Sequence, residues 1–177
     1  ILRQQCARRK AISHNMKASH FSPDTLEFLL LLNKYRVKYL IVGGEAVIYY
    51  GHIRLTGDID FFYDASQKNV QSLFNALAEF WGGTIPGISS HDELSVPGTI
   101  IQFGAPPNRI DLINKVDGVD FNLAWESKTE TVVEANGNSI PVHYISLELL
   151  IKNKETVARY KDQDDLRFLT ASLEKNR

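Results

Sequence analysis

The sequence contains little cysteine, no long apolar run and almost no excess of charge. Its one cysteine, Cys6, has no partner for a disulfide within the chain, which fits a reducing compartment. A secreted protein without disulfides would look the same, but we expect a cytoplasmic protein. The longest apolar run, residues 28–32, is far shorter than the roughly 20 residues of a membrane-spanning helix, so we expect no membrane partner. A formal net charge of -1 argues against general binding to DNA but leaves room for a local phosphate site.

The 177 residues, of which 44% are hydrophobic and 23% charged, have the composition of one globular domain. The chain begins with Ile1, its only methionine is Met16, and residues 1–15 are basic and lack periodicity. We therefore predict that residues 1–15 are a disordered or non-native upstream tail, with the natural start at Met16. A basic targeting arm is the alternative, although the apolar core of a secretory signal is absent. Residues 16–177 are predicted to form a single domain.

Local patterns predict strands and helices along the whole of this domain. Ser22 before a proline is typical of a helix start, and Asn136-Gly137 between two strand-like runs predicts a hairpin. The predicted strands are residues 37–42, 58–63, 99–103, 109–113, 131–135 and 139–144. The predicted helices are residues 23–34 and 45–50, one that Ser66 caps and Gly82-Gly83 ends, one that Ser146 caps, and residues 162–173. A loop is predicted over residues 84–98. These elements predict an α/β fold, a mixed sheet with flanking helices.

Aspartates in two predicted strands form a candidate metal site. Side chains alternate along a strand, so Asp58 and Asp60 share one face, with Cα atoms roughly 7 Å apart. Two such carboxylates can converge on divalent ions, and hard oxygen ligands suit Mg²⁺ or Mn²⁺. The alternative is an edge strand with a wet acidic face. Asp111 is a lone carboxylate in an otherwise apolar strand, and such exceptions cluster at functional sites, although an ion pair with Arg109 would also explain it.

A pair of glycines lies between a predicted strand and a predicted helix. Because they lack side chains, Gly43 and Gly44 let a phosphate approach the backbone, and a helix N-terminus offers free N–H groups. A simple turn is the alternative. Together, the glycines can cradle the phosphates of a nucleoside triphosphate while three carboxylates hold metal ions that offset its charge. The third carboxylate can also accept a proton from an attacking hydroxyl.

The order and spacing of these motifs resemble those of the nucleotidyltransferase superfamily, which includes DNA polymerase beta. The chain has Gly43-Gly44, then thirteen residues, then Asp58-Ile59-Asp60, and a later strand with Asp111. The resemblance implies a nucleotidyltransferase-like fold in which Asp58, Asp60 and Asp111 are catalytic and bind the metals. It implies that Asp111 also helps to activate the acceptor hydroxyl, and that Gly43 and Gly44 meet the nucleotide phosphates. Many well-studied members have Gly-Ser at this position, so the serine hydroxyl is missing here.

Further stretches carry the same resemblance. Residues 42–62 (VGGEAVIYYGHIRLTGDIDFF) are especially similar to small bacterial members, among them the nucleotidyltransferase-like proteins of AbiE-type toxin–antitoxin and abortive-infection systems. Near the C-terminus, residues 150–154 and 159–166 resemble the segment that closes the fold in those relatives. The resemblance covers residues 39–169.

Three basic residues, Lys154, Arg159 and Arg54, are candidates for additional phosphate contacts. The resemblance of the C-terminal segment implies that Lys154 is a nucleotide-binding cation near the triphosphate. A solvated helix face or an ion pair with Asp162 or Asp164 is the alternative for Lys154 and for Arg159. Arg54 fits a surface position and a phosphate contact equally well.

We therefore expect a Mg²⁺- or Mn²⁺-dependent nucleotidyltransferase that moves an NMP group from an NTP to a hydroxyl. The acceptor would be a protein, an RNA end such as that of a tRNA, or a small molecule. The first alternative is a weakly active or inactive binding module of a toxin–antitoxin or abortive-infection system. The second is an adenylyltransferase for aminoglycoside or lincosamide antibiotics. The short chain favours a small acceptor or a partner protein over processive work on nucleic acid.

Overall fold

Seven strands form one mixed sheet in the computed structural model, which describes residues 16–175. They are β1 (Met16–Lys17), β2 (Tyr39–Val42), β3 (Asp58–Tyr63), β4 (Ile100–Phe103), β5 (Arg109–Ile113), β6 (Thr129–Ala135) and β7 (Asn138–Tyr144). Their order across the sheet is β1-β6-β7-β2-β3-β5-β4. The predicted tail, residues 1–15, lies outside the described residues.

Six α-helices accompany this sheet within residues 16–175. They are α1 (Pro23–Lys34), α2 (Gly43–Tyr49), α3 (Gln67–Phe80), α4 (Phe121–Glu126), α5 (Leu147–Val157) and α6 (Gln163–Lys175), and short 3₁₀ helices cover Ala18–His20, His91–Ser95 and Tyr160–Asp162. The predicted α/β fold with a mixed sheet and flanking helices is therefore confirmed. None of the described helices has both the length and the apolar character that crossing a membrane requires.

Strand β3 lies inside the sheet and is covered by a helix on each face. It pairs antiparallel with β2 and parallel with β5. On one face, Phe61 packs edge-to-face against Phe28 of α1, with ring centroids 5.4 Å apart. On the other face, Phe62 packs against Phe121 of α4 at 5.0 Å. Because every residue of the neighbouring β2 is buried, the part of β3 that pairs with it is held in a fixed position within the core.

Strand β2 begins two residues later than predicted because a turn follows α1. Arg36 adopts a left-handed conformation with φ of 54°, and the Val37 N–H donates to the Leu32 carbonyl at 2.9 Å. These features close the end of the helix in the manner of a left-handed cap. Residue 37 therefore belongs to the cap, and the strand starts at Tyr39.

Residues with a positive φ mark both the hairpin turn and the start of α2. Asn136 and Gly137 both have positive φ, 51° and 77°, as a two-residue hairpin turn requires, and β6 and β7 pair on either side of them. The predicted hairpin is therefore confirmed. Helix α2 starts at Gly43 rather than at the predicted residue 45, so both glycines belong to its first turn.

Two elements carry too little sequence signal to be predicted. Helix α4 has only six residues, and its clearest mark is Asp120, whose side chain accepts a hydrogen bond from the Leu123 N–H at 3.0 Å. Strand β1 has two residues and pairs parallel with β6. The loop predicted over residues 84–98 contains a 3₁₀ helix that begins with a capping box of Ser90 and Glu93. Such short elements lack the periodicity on which sequence predictions depend.

Candidate active site

The parallel pairing of β3 and β5 brings the three predicted aspartates together. Asp60 lies directly opposite Asp111, and Asp58 lies opposite Arg109. Because alternate residues of a strand share a face, Asp58 and Asp60 lie on the face that α4 covers at Phe62. The structure thus places three carboxylates on two adjoining strands, as the metal-site prediction requires.

Arg109 lies between two of these carboxylates. Its Nη2 donates to Asp58 at 2.6 Å and to Asp111 at 2.9 Å, and its Nε donates to Asp111 at 2.7 Å. Gln102 of β4 donates a further hydrogen bond to Asp111 at 2.9 Å. The alternative explanation for Asp111, an ion pair with Arg109, is therefore realised, and the same guanidinium also reaches Asp58.

Asp60 has the most perturbed ionisation of the three aspartates. Burial raises the pKa of Asp60 to about 6, and the negative charges of Asp58 and Asp111 add to the effect. The positive charges of Arg109 and Arg159 act in the opposite direction without cancelling it. Burial therefore makes an ionised Asp60 costly, and the three carboxylates outnumber Arg109, which contacts Asp58 and Asp111.

The two glycines of α2 make room for site residues. A β-carbon on Gly43 would overlap the Asp60 carboxylate, and Gly43 also has a positive φ of 65°. A β-carbon on Gly44 would stand 2.8 Å from Thr56 Oγ1, and this hydroxyl donates to Asp58 Oδ1 at 3.1 Å. Glycine is therefore needed at both positions by the neighbouring side chains. That Gly43 and Gly44 also contact phosphates stays a prediction.

The donor chemistry of the aspartates fits a divalent cation, but the carboxylates are already engaged. Among residues 16–175, no three His, Cys, Asp or Glu side chains stand in a ready metal-binding arrangement. Arg109 accounts for this at the aspartates, because it occupies the space between Asp58 and Asp111. Carboxylate oxygens with excess negative charge are nonetheless the ligands that Mg²⁺ and Mn²⁺ prefer. A metal ion would therefore compete with Arg109 for these oxygens.

Lys154 belongs to a separate group of ion pairs between α5 and α6. Its buried ammonium donates to Asp162 at 2.7 Å and to Asp165 at 2.8 Å. The alternative of an ion pair with Asp162 is confirmed, and the second partner is Asp165, because Asp164 is exposed and pairs with Arg167 instead. Direct contact between Lys154 and a nucleotide stays a prediction.

The family to which the chain belongs follows from its match to a family model. Residues 24–172 match the model described as "Nucleotidyltransferase of unknown function (DUF6036)", which covers all three aspartates and both glycines. The chain belongs to this nucleotidyltransferase family. No curated protein sequence matches the chain. A crystal structure of an antigenic nucleotidyltransferase-like protein from Paracoccidioides brasiliensis is similar at 18% sequence identity and a TM-score of 0.48, over 85% of this chain and 75% of that one.

Two features of this candidate site were not predicted from the sequence. The contact of Arg109 with Asp58 depends on the register of two strands that are far apart in the chain. The hydroxyl of Thr56 lies beside Gly44 because the loop before β3 folds back on α2. The one local signal that could have predicted the role of Thr56 is its position two residues before Asp58.

Proposed function

We propose that this nucleotidyltransferase transfers an NMP group from an NTP to an acceptor hydroxyl with release of pyrophosphate. The observation that supports the proposal is the placement of Asp58, Asp60 and Asp111 on adjoining strands, with Asp60 against Gly43. Three carboxylates that share a face and hold excess negative charge suit the binding of a cation and, through it, of a polyphosphate. The family described as nucleotidyltransferases gives this arrangement a chemical context.

In this proposal, the three aspartates hold Mg²⁺ or Mn²⁺, which polarises phosphate oxygens and offsets their charge when it is bound. Asp111 would accept the proton of the acceptor hydroxyl, and its hydrogen bond from Gln102 would keep the carboxylate oriented. A carboxylate held in this way is positioned for proton transfer without a search among rotamers.

The acceptor would be a hydroxyl of a protein, an RNA end or a small molecule, in a cytoplasmic setting. The test is incubation of the protein with each of the four NTPs, labelled at the α-phosphate, in the presence of Mn²⁺ or Mg²⁺ and candidate acceptors. Transfer of label by the wild type, and its loss in Asp60→Asn, is the expected result. Asp117→Asn removes an exposed aspartate and serves as the matched control. Absence of NTP binding in calorimetric titration with metal would refute the proposal.

A non-catalytic binding module of a toxin–antitoxin or abortive-infection system is the second candidate. The observation that favours it is Arg109, whose ion pairs partly neutralise Asp58 and Asp111 within the chain itself. A module of this kind would retain its partner and its biological effect in the Asp60→Asn variant. The proposed enzyme would lose its effect in the same variant, so the two candidates give opposite results.

A further inference from the structure

A network of ion pairs joins α5 and α6 to the loop before β3. Its centre is Lys154, whose side chain is 3% exposed and whose ammonium donates to both Asp162 and Asp165. A buried ammonium held by two carboxylates has its charge compensated and its direction fixed. Lys154 therefore faces into the protein, toward its two anions.

Each of these two carboxylates also holds an arginine. Asp165 accepts a hydrogen bond from Arg54 Nη1, and Asp162 accepts one from Arg159 Nε at 2.7 Å. In contrast to the buried carboxylates, the Arg54 side chain is 28% exposed and that of Arg159 is 53% exposed. The network thus presents two oriented guanidinium groups at its surface.

Both arginines stand close to the candidate active site. Arg54 donates to Asp165 through Nη1, whereas its Nη2 lies 3.8 Å from the place that a β-carbon on Gly44 would occupy. Arg159 lies beside Arg54, because their partners Asp162 and Asp165 both accept hydrogen bonds from the Lys154 ammonium, at 2.7 Å and 2.8 Å. Arg54 therefore approaches the glycines from the side of α6, with Arg159 next to it.

We propose that Arg54 and Arg159 bind the phosphates of the nucleoside triphosphate, and that Lys154 is a positioning residue that acts on them through Asp162 and Asp165. This inference rests on the proposed function. A guanidinium presents several N–H donors in one plane and matches phosphate oxygens in a bidentate manner. Two such groups suit a polyphosphate better than a monophosphate, because a longer chain of phosphates offers more charge to each of them.

The arginines are tested by comparing the affinities of ATP and AMP in the presence of Mg²⁺. Arg54→Gln and Arg159→Gln should each weaken ATP binding about tenfold and AMP binding less, as expected for loss of a charge-assisted contact. Arg167→Gln removes an equal charge from the exposed face of α6 and should leave both affinities unchanged. If the wild type binds ATP and both variants bind it equally well, this inference fails while the proposed function stands. If the wild type binds no ATP, the proposed function fails and the inference fails with it.

A double-mutant cycle between Asp165 and Arg54 and a single variant of Lys154 separate positioning from simple structural support. Asp165→Asn keeps the shape of the side chain and weakens its hold on Arg54. It should lower the ratio of ATP to AMP affinity in the wild-type background but not in the Arg54→Gln background, because the two changes act through one guanidinium. Lys154→Met should lower the same ratio in protein that is folded at the assay temperature. A lower melting temperature without a change in this ratio would overturn the positioning role.

Discussion

The Asp60→Asn substitution should make the metal-free protein more stable above neutral pH. The pKa of Asp60 is raised from 3.8 to about 6, chiefly by burial and then by the charges of Asp58 and Asp111. The folded protein therefore binds this proton more tightly than the unfolded chain does. The resulting stabilisation is complete below the unfolded pKa and is lost as pH rises through about 6. At about 1.4 kcal/mol for each pKa unit, an ionised Asp60 costs the folded state about 3 kcal/mol.

Asparagine preserves the size of this side chain and removes its charge, so the variant avoids the cost. Urea unfolding in buffer with EDTA should show the difference in unfolding free energy, Asp60→Asn minus wild type, growing by about 2 kcal/mol between about pH 4.5 and about pH 8. Addition of Mn²⁺ should reverse the order of stability. At 1,000 times its Kd, a bound ion adds about 4.1 kcal/mol to the protein that binds it, which exceeds the cost of about 3 kcal/mol, and only the wild type retains all three carboxylates.

The control for this experiment is Asp117→Asn, which removes one negative charge from an exposed turn. It should change the unfolding free energy by less than about 0.5 kcal/mol at either pH. A stability difference for Asp60→Asn that is the same at both pH values would refute the raised pKa of this carboxylate. Equal stabilisation of the wild type and of Asp60→Asn by Mn²⁺ would refute the metal site.

Three other substitutions test contacts within and beside the site. Arg109→Gln removes the guanidinium with which a metal ion competes, so Mn²⁺ should bind about tenfold more tightly in a spectroscopic titration of free Mn²⁺; weaker binding would mean that Arg109 supports the site instead. Gly43→Ala forces a β-carbon onto the Asp60 carboxylate at a positive φ and should cost at least about 2 kcal/mol in urea unfolding, so a loss below about 0.5 kcal/mol contradicts the close contact. The pKa of His20 is raised, mainly by its hydrogen bond with Glu45, so its contribution is complete below about pH 6.5 and is lost as pH rises through the higher folded value. His20→Gln should therefore destabilise the protein by about 1.5 kcal/mol in acid and by less at high pH, and a loss that does not change with pH would show that this ion pair is not its cause.

The sequence predicts which face the aspartates occupy but not the pairing that joins them. Alternation along a strand is a local property, so the shared face of Asp58 and Asp60 follows from their spacing. The position of Asp111 opposite Asp60 depends on the register of β3 and β5, which the packing of the whole sheet determines. The same register places Arg109 opposite Asp58, and no local pattern contains that information.

The partners of Lys154 show a second limit of local reasoning. Several acidic residues follow it closely in the chain, and sequence alone offers Asp162 and Asp164 as equal candidates. Because α6 begins at Gln163, helical geometry turns Asp165 inward and leaves Asp164 at the surface. Asp165 lies four residues before the buried Leu169 and shares its face of the helix, but it is the packing of α6 in the fold that buries this face.

The net charge of -1 conceals an uneven distribution of charge within the fold. His20 faces the buried Glu45, the α5–α6 network pairs each of its carboxylates with two cations, and Arg109 contacts two aspartates. Asp60 differs from these groups because its pKa remains raised although Arg109 and Arg159 both act to lower it. Positive charge added beside Asp60, as a proton or as the divalent ion of our proposal, would therefore stabilise the fold more than the same charge added at an acid that already has a close cation. An almost neutral composition is thus compatible with a site that strongly favours a bound cation, and this site lies where Asp60 contacts Gly43.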